Sequence, residues 1–171
     1  MLGKQVVDLV LSPKWIIPIV PRGSILKNTS IVVNNGVIVD IADRQIVSEK
    51  YEAKTEYKLG YHVVLPGFVN AHTHTPMFLF KSYGDDNSLS DWLQHFIWPM
   101  EDMFISPRFI RDGLQMGCAE MIRSGTTCFN DMYYYPEESA EEVEKIGMRA
   151  IIGLMGRDNE GSLKTVLSAM D

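Results

Sequence analysis

Leu65-Pro66-Gly67-Phe68-Val69-Asn70-Ala71-His72-Thr73-His74 is the stretch on which the reading of this chain turns. Pro66-Gly67 is a turn signal, and Phe68 to His72 is a short, largely apolar run of the kind needed by a strand buried on both faces. Residues two apart in a strand share a face, so His72 and His74 project together while Thr73 points away. Two neutral imidazoles side by side make half of a metal site, each nitrogen about 2.0–2.1 Å from a zinc. The end of a buried strand, just before a polar loop, is also where α/β barrels keep their catalytic groups. With four histidines in the chain, such a pair also arises by chance, so its surroundings have to support it.

Downstream, a loop rich in Gly, Asp, Asn and Ser (Gly84 to Ser88) precedes a helix expected over Leu89 to Met100. Ser88 or Ser90 would cap it and Pro99 would end or kink it. Ser106-Pro107 opens the clearest helix, with Ile110, Leu114, Gly117/Cys118 and Met121 on one apolar face and Gly125 closing it. Thr126 to Asp131 reads as the next strand, Pro136 to Lys145 as an acidic helix ended by Gly147, and Arg149 to Leu154 as a third strand. Ser162 to Met170 reads as a further helix. Strand and helix alternating at this spacing is the βαβ signature of a parallel sheet. Pro66 to Asp171 has room for about three such units, whereas a closed (β/α)₈ barrel takes about 250 residues.

Upstream the chain reads as β-structure. Asp8 to Leu11 and Trp15 to Val20 are short apolar runs broken by Pro13, and Asn34-Asn35-Gly36 between two β-branched runs is a hairpin signal. Ser48 to Lys58 suits an exposed edge strand or loop. Asp8, Pro13, Lys14 and Pro18 interrupt the apolar start, which argues against a signal or membrane segment. A net charge of −6 argues against nucleic acid as a partner. Cys118 and Cys128, the two cysteines, lack CxxC spacing and are expected to be buried, reduced thiols in a cytoplasmic protein.

The quoted stretch resembles the first barrel strand of the amidohydrolase superfamily. Ser90-Asp91-Trp92-Leu93, Trp98-Pro99-Met100-Glu101 and Ser124-Gly125-Thr126-Thr127-Cys128-Phe129-Asn130-Asp131-Met132 resemble the branch holding the methylthioadenosine/S-adenosylhomocysteine deaminases and the triazine hydrolases. The resemblance implies an α/β fold: an incomplete metal-dependent hydrolase (β/α)₈ barrel over residues 62–171, preceded over residues 1–61 by part of a small β-sandwich. His72 and His74 match two ligands of a single Zn²⁺ (or Fe²⁺). Trp92 matches a position lining the substrate pocket, and Glu101 matches a carboxylate that accepts hydrogen bonds from ribose hydroxyls. The remaining family ligands, on the fifth, sixth and eighth strands, and the catalytic glutamate near the sixth have no counterpart here, so no residue of this chain is assigned the catalytic role. Two imidazoles alone do not hold catalytic zinc firmly.

Asp131, at the end of the second barrel strand, reads either as a site residue or as a capping group. His62 and His95 read as structural, and Arg157 matches the family poorly. The leading functional reading is the N-terminal fragment of an aminohydrolase acting on an adenine nucleoside thioether, inactive alone, with a small purine nucleoside or related cyclic amidine as its partner. A second reading keeps the family but changes the substrate to a triazine, guanine or another cyclic amidine. A third makes the chain a non-catalytic protein whose open sheet edges pair with a partner, a complementing fragment or a second copy.

Overall fold

The computed structural model describes residues 3–155. The helix read over Ser162 to Met170, and Arg157, lie outside the described residues. The chain divides after Pro66 into two compact units, slightly beyond the expected boundary at residues 61/62.

The first unit is built on β1 (Gln5–Ile16), β2 (Leu26–Lys27), β3 (Thr29–Asn34), β4 (Val37–Asp43), α1 (Arg44–Lys50) and β5 (Tyr51–Val64). Its strands form one five-stranded sheet, in which β1 pairs antiparallel with β2 and β3 and parallel with β5. The β3–β4 turn is the expected hairpin, with Asn35 at φ 51° and Gly36 at φ 73°. Two expectations change. Asp8 to Leu11 and the first two residues of the Trp15 to Val20 run lie in one strand that passes through Pro13, with a register irregularity between Pro13 and Trp15 and its end at Ile16. Arg44–Lys50 is a short helix, capped by Asp43, whose carboxylate accepts from Gln45 N. Val7, Val10, Val32, Val47 and Tyr51 form the unit's core.

The second unit carries β6 (Phe68–Thr73), a 3₁₀ turn (Thr75–Phe80), α2 (Leu89–Trp92), α3 (Trp98–Phe104), α4 (Pro107–Ser124), β7 (Thr126–Met132), α5 (Pro136–Ile146) and β8 (Arg149–Gly153). β6, β7 and β8 are parallel neighbours in chain order, as the βαβ spacing predicts. Between α2 and α3 the chain widens into π-helical turns over Leu93–Ile97. This is a local adjustment just ahead of Pro99, which lacks the donor for an ordinary turn. Ser106 caps α4 by accepting from Phe109 N, and Gly125 ends it at φ 87°.

Leu114 and Cys118 of α4, Phe129 of β7 and Val143 of α5 are the buried centre of this unit. Each large side chain there contributes on the order of 1.5–3 kcal/mol by leaving water. Cys118 is buried and Cys128 half-buried, both as free thiols. Burial, reinforced by the charges of Asp131 and Glu142, pushes the Cys118 thiol up to about 11. His62 and His95 are exposed, and His95 sits 3.9 Å from the Asp91 carboxylate one turn away. Among the described residues no helix is long and apolar enough to cross a membrane.

Candidate metal centre

His72 and His74 come together at the C-terminal end of β6, with ring centroids 5.0 Å apart and planes at 78°. The strand beneath them is not regular. Asn70 faces Phe129, but Thr73 faces Asp131, so three steps on β6 match two on β7. This is a bulge across Ala71 and His72, the device by which sheets re-aim side chains beside active sites. The backbone groups it removes from the ladder are met by side chains. Asn130 Nδ2 donates to the Ala71 carbonyl at 3.2 Å, and Asn70 Oδ1 accepts from His72 N at 3.3 Å.

The orientation of His74 is set from β7. Its Nδ1 lies 2.5 Å from the Met132 carbonyl oxygen. A carbonyl only accepts, so Nδ1 is the donor in this contact, and in a neutral ring Nε2 is then the nitrogen with a lone pair to offer. Metal-ligating histidines are held in this way, one nitrogen on a backbone carbonyl and the other free to coordinate. The pair therefore fits two ligands of a metal centre. Among the described residues no set of three His, Cys, Asp or Glu is placed to hold a metal.

Asp131 is 1% exposed, and its Oδ1 accepts from Thr75 N at 2.6 Å. Oδ2 has no hydrogen-bond partner among the described residues. Burial raises the carboxyl above its ordinary value, against the opposing pull of the Thr75 hydrogen bonds. The capping alternative is thus the one observed, with the cap serving the turn after the histidines.

Glu101, expected as a substrate contact, is buried on α3. Its Oε1 accepts from Tyr133 OH at 2.6 Å and its Oε2 from Tyr134 OH at 3.2 Å. Tyr133 also lies 6.1 Å, ring to ring, from His74, so it stands between the histidine pair and Glu101. Burial first, and the Glu101 carboxylate second, push the Tyr133 phenol far above its usual range, so it remains a donor. An open hollow is lined by Trp98, Glu101, Asp102 and Tyr134. Trp92 is half-buried and spends its indole N–H on the Tyr83 carbonyl at 2.9 Å, closing the preceding loop. The sequence alone does not single out the two tyrosines, and it shows Trp98 only as part of the motif around Glu101. The available signal was the aromatic run Tyr133-Tyr134-Tyr135 directly after a strand that ends beside the histidines.

The sequence model of the amidohydrolase family matches residues 63–168. A 5-methylthioadenosine/S-adenosylhomocysteine deaminase of Saccharophagus degradans is 38% identical over 152 residues, 89% of this chain and 34% of that protein. A 5'-deoxyadenosine deaminase of Methanosarcina barkeri is 39% identical over 155 residues, 90% of this chain and 35% of its own length. The crystal structure of an adenosine deaminase from Xanthomonas campestris with bound zinc superimposes with a TM-score of 0.89 at 34% identity, covering 92% of this chain and 36% of the other. A triazine hydrolase from Arthrobacter aurescens shares the fold at a TM-score of 0.71 and 17% identity, over 87% of this chain and 36% of its own. The chain spans about a third of the length of the curated relatives it matches.

Proposed function

This chain belongs to the amidohydrolase family, and we propose that it is the metal-binding N-terminal part of a hydrolytic deaminase acting on an adenine nucleoside thioether of the methylthioadenosine or S-adenosylhomocysteine type. In this reading residues 62–171 supply the first units of a (β/α)₈ barrel, and residues 1–61 supply part of a flanking β-sandwich. His72 and His74 hold Zn²⁺ or Fe²⁺. The observation that carries the proposal is the contact of His74 Nδ1 with the Met132 carbonyl, which orients the ring and leaves Nε2 as the nitrogen available to a metal.

When bound, the metal supplies the Lewis acidity that activates water for attack on C6 of the adenine ring, with loss of ammonia. The chain's own part is to orient the substrate. Glu101 receives the ribose hydroxyls on the lone pairs that its two tyrosines leave open, since an ionised carboxylate offers about four acceptor sites. Tyr133, kept neutral, holds that carboxylate in place beside the histidines. Trp92 supports the pocket wall from α2. Two imidazoles do not retain catalytic zinc firmly, so residues 1–171 alone are expected to give no turnover. The remaining ligands come from elsewhere in the working enzyme, in the cytoplasm.

A nucleoside is favoured over a triazine because the deaminase relatives stand near 38% identity, whereas the triazine hydrolase shares the fold at 17%. Substrate hydrolysis, read as ammonia released from methylthioadenosine and guanine and as chloride released from a chlorotriazine, measured on the intact enzyme and on its His72→Ala/His74→Ala variant, tests the reading. The nucleoside thioether should be the preferred substrate and the variant inactive. Turnover that survives loss of both histidines, or a preference for the triazine, would refute it.

A further inference from the structure

We infer that Asp131 is a positioning residue for His74, acting as a long-range cap on the turn that begins immediately after it. The inference rests on the metal-ligand reading of His74 but concerns a residue that the reading does not use.

His74 occupies the N-cap position of the Thr75–Phe80 turn and makes no side-chain cap bond there. A cap residue is ordinarily Ser, Thr, Asp or Asn, because its short oxygen satisfies one of the free N–H groups of the first turn. An imidazole turned outward to bind a metal cannot also do that. Asp131 supplies the missing acceptor from the neighbouring strand, through the 2.6 Å bond from Thr75 N to Oδ1. The next residue, Met132, holds the His74 ring through its carbonyl. Two successive residues of β7 thus grip two successive residues at the end of β6, one by the ring and one by the backbone.

The grip is closed from the opposite side by α4. A Cβ at Gly113 would lie 2.4 Å from the Pro76 carbonyl oxygen, and one at Gly117 would lie 2.6 Å from Thr75 Cγ2. Helix and turn are therefore in direct backbone contact, and the Thr75–Pro76 segment cannot retreat from Asp131. Both Thr75 and Asp131 are buried, so water does not replace the bond if the carboxylate is removed. Without it the buried Thr75 N–H is left unpaired, and His74 loses one of the two contacts that fix the backbone behind its ring.

The test compares Asp131→Ala and Asp131→Asn in the intact protein. Zinc affinity is read by competition with a chromophoric chelator, and the His74 tautomer by ¹⁵N NMR of the metal-free protein. Removing outer-shell support of this kind typically weakens metal binding by about 10–100-fold, which is the loss expected for D131A, with averaging of the His74 ring signals. D131N keeps an oxygen for Thr75 but not the charge that strengthens the bond, so it should fall between D131A and wild type in both readouts. Should D131A fail to fold, D131N decides: intermediate values support the assignment. Wild-type zinc affinity together with a fixed Nδ1–H tautomer, in either folded variant, would overturn it. If the wild-type protein binds no zinc through His72 and His74, the metal reading fails, while the tautomer measurement still judges the grip.

Discussion

Gly113→Ala offers a quantitative test of how the candidate centre is packed. The added methyl would meet the Pro76 carbonyl oxygen at 2.4 Å and Pro76 Cα at 2.9 Å. Ordinary van der Waals contact begins about 1 Å farther out than the first of these, and both obstacles are backbone, so no rotamer change relieves them. Overpacking of this kind costs about 1–3 kcal/mol. Alanine recovers about 1 kcal/mol over glycine in a helix interior. With the obstacle rigid, the upper part of the cost range applies and a net loss of about 1–2 kcal/mol is expected. That corresponds to a drop in Tm of several degrees, at roughly 4–8 °C per kcal/mol for a 60–100-residue domain and about half that for a larger one. Gly117→Ala should cost less, because its closest obstacle is the Thr75 methyl rather than backbone. Gly60→Ala, with nothing within 4 Å of the new methyl, should be neutral or stabilising. Thermal and urea melts followed by circular dichroism give the ranking directly. G113A melting at or above wild type would refute the close contact between α4 and the turn that follows His74.

Tyr133→Phe removes a donor from Glu101 Oε1 in a buried site and should destabilise by about 1–3 kcal/mol. In the intact enzyme it should raise KM for a nucleoside more than it lowers kcat, as steady-state kinetics would show. Glu142 is held below its ordinary 4.5, first by the hydrogen bond from Gln115 and then by Lys145. Its folded pKa is therefore lower than its unfolded one. The stability it contributes is full above the unfolded value and is lost as pH falls through the folded value. Tm measured from neutral pH downward should accordingly fall less steeply in Glu142→Gln than in wild type, and equal slopes would contradict the assignment.

The residues of the candidate centre were legible where chemistry alone identifies them. His72 and His74 stand out by type and spacing, and the βαβ order around them follows from hydrophobic period and from caps such as Ser106-Pro107 and Gly125. The bulge at Ala71–His72 was not legible, because strict alternation assumes a regular ladder and nothing local announces that Asn70 and Asn130 replace ladder bonds with side-chain ones. The grip on His74 joins residues far apart in the chain, and spacing rules see only near neighbours. The short helix after Asp43 was missed since its Asp43 cap bond to Gln45 carries little weight beside a β-rich context. Glu101 was found as a carboxylate of interest, but its two tyrosine donors become visible only once β7 and α3 are side by side. Trp92 shows the reverse: its position on α2 could be read, while the commitment of its N–H to Tyr83 could not.

The most direct test of the metal assignment is the metal content of the purified intact protein, measured by plasma emission spectrometry beside His72→Ala/His74→Ala. Near-stoichiometric zinc or iron in the wild type, lost in the variant while the fold is retained, is the expected result. Metal retained in full by the double variant, or none bound by a folded wild type resupplied with zinc, would contradict the account.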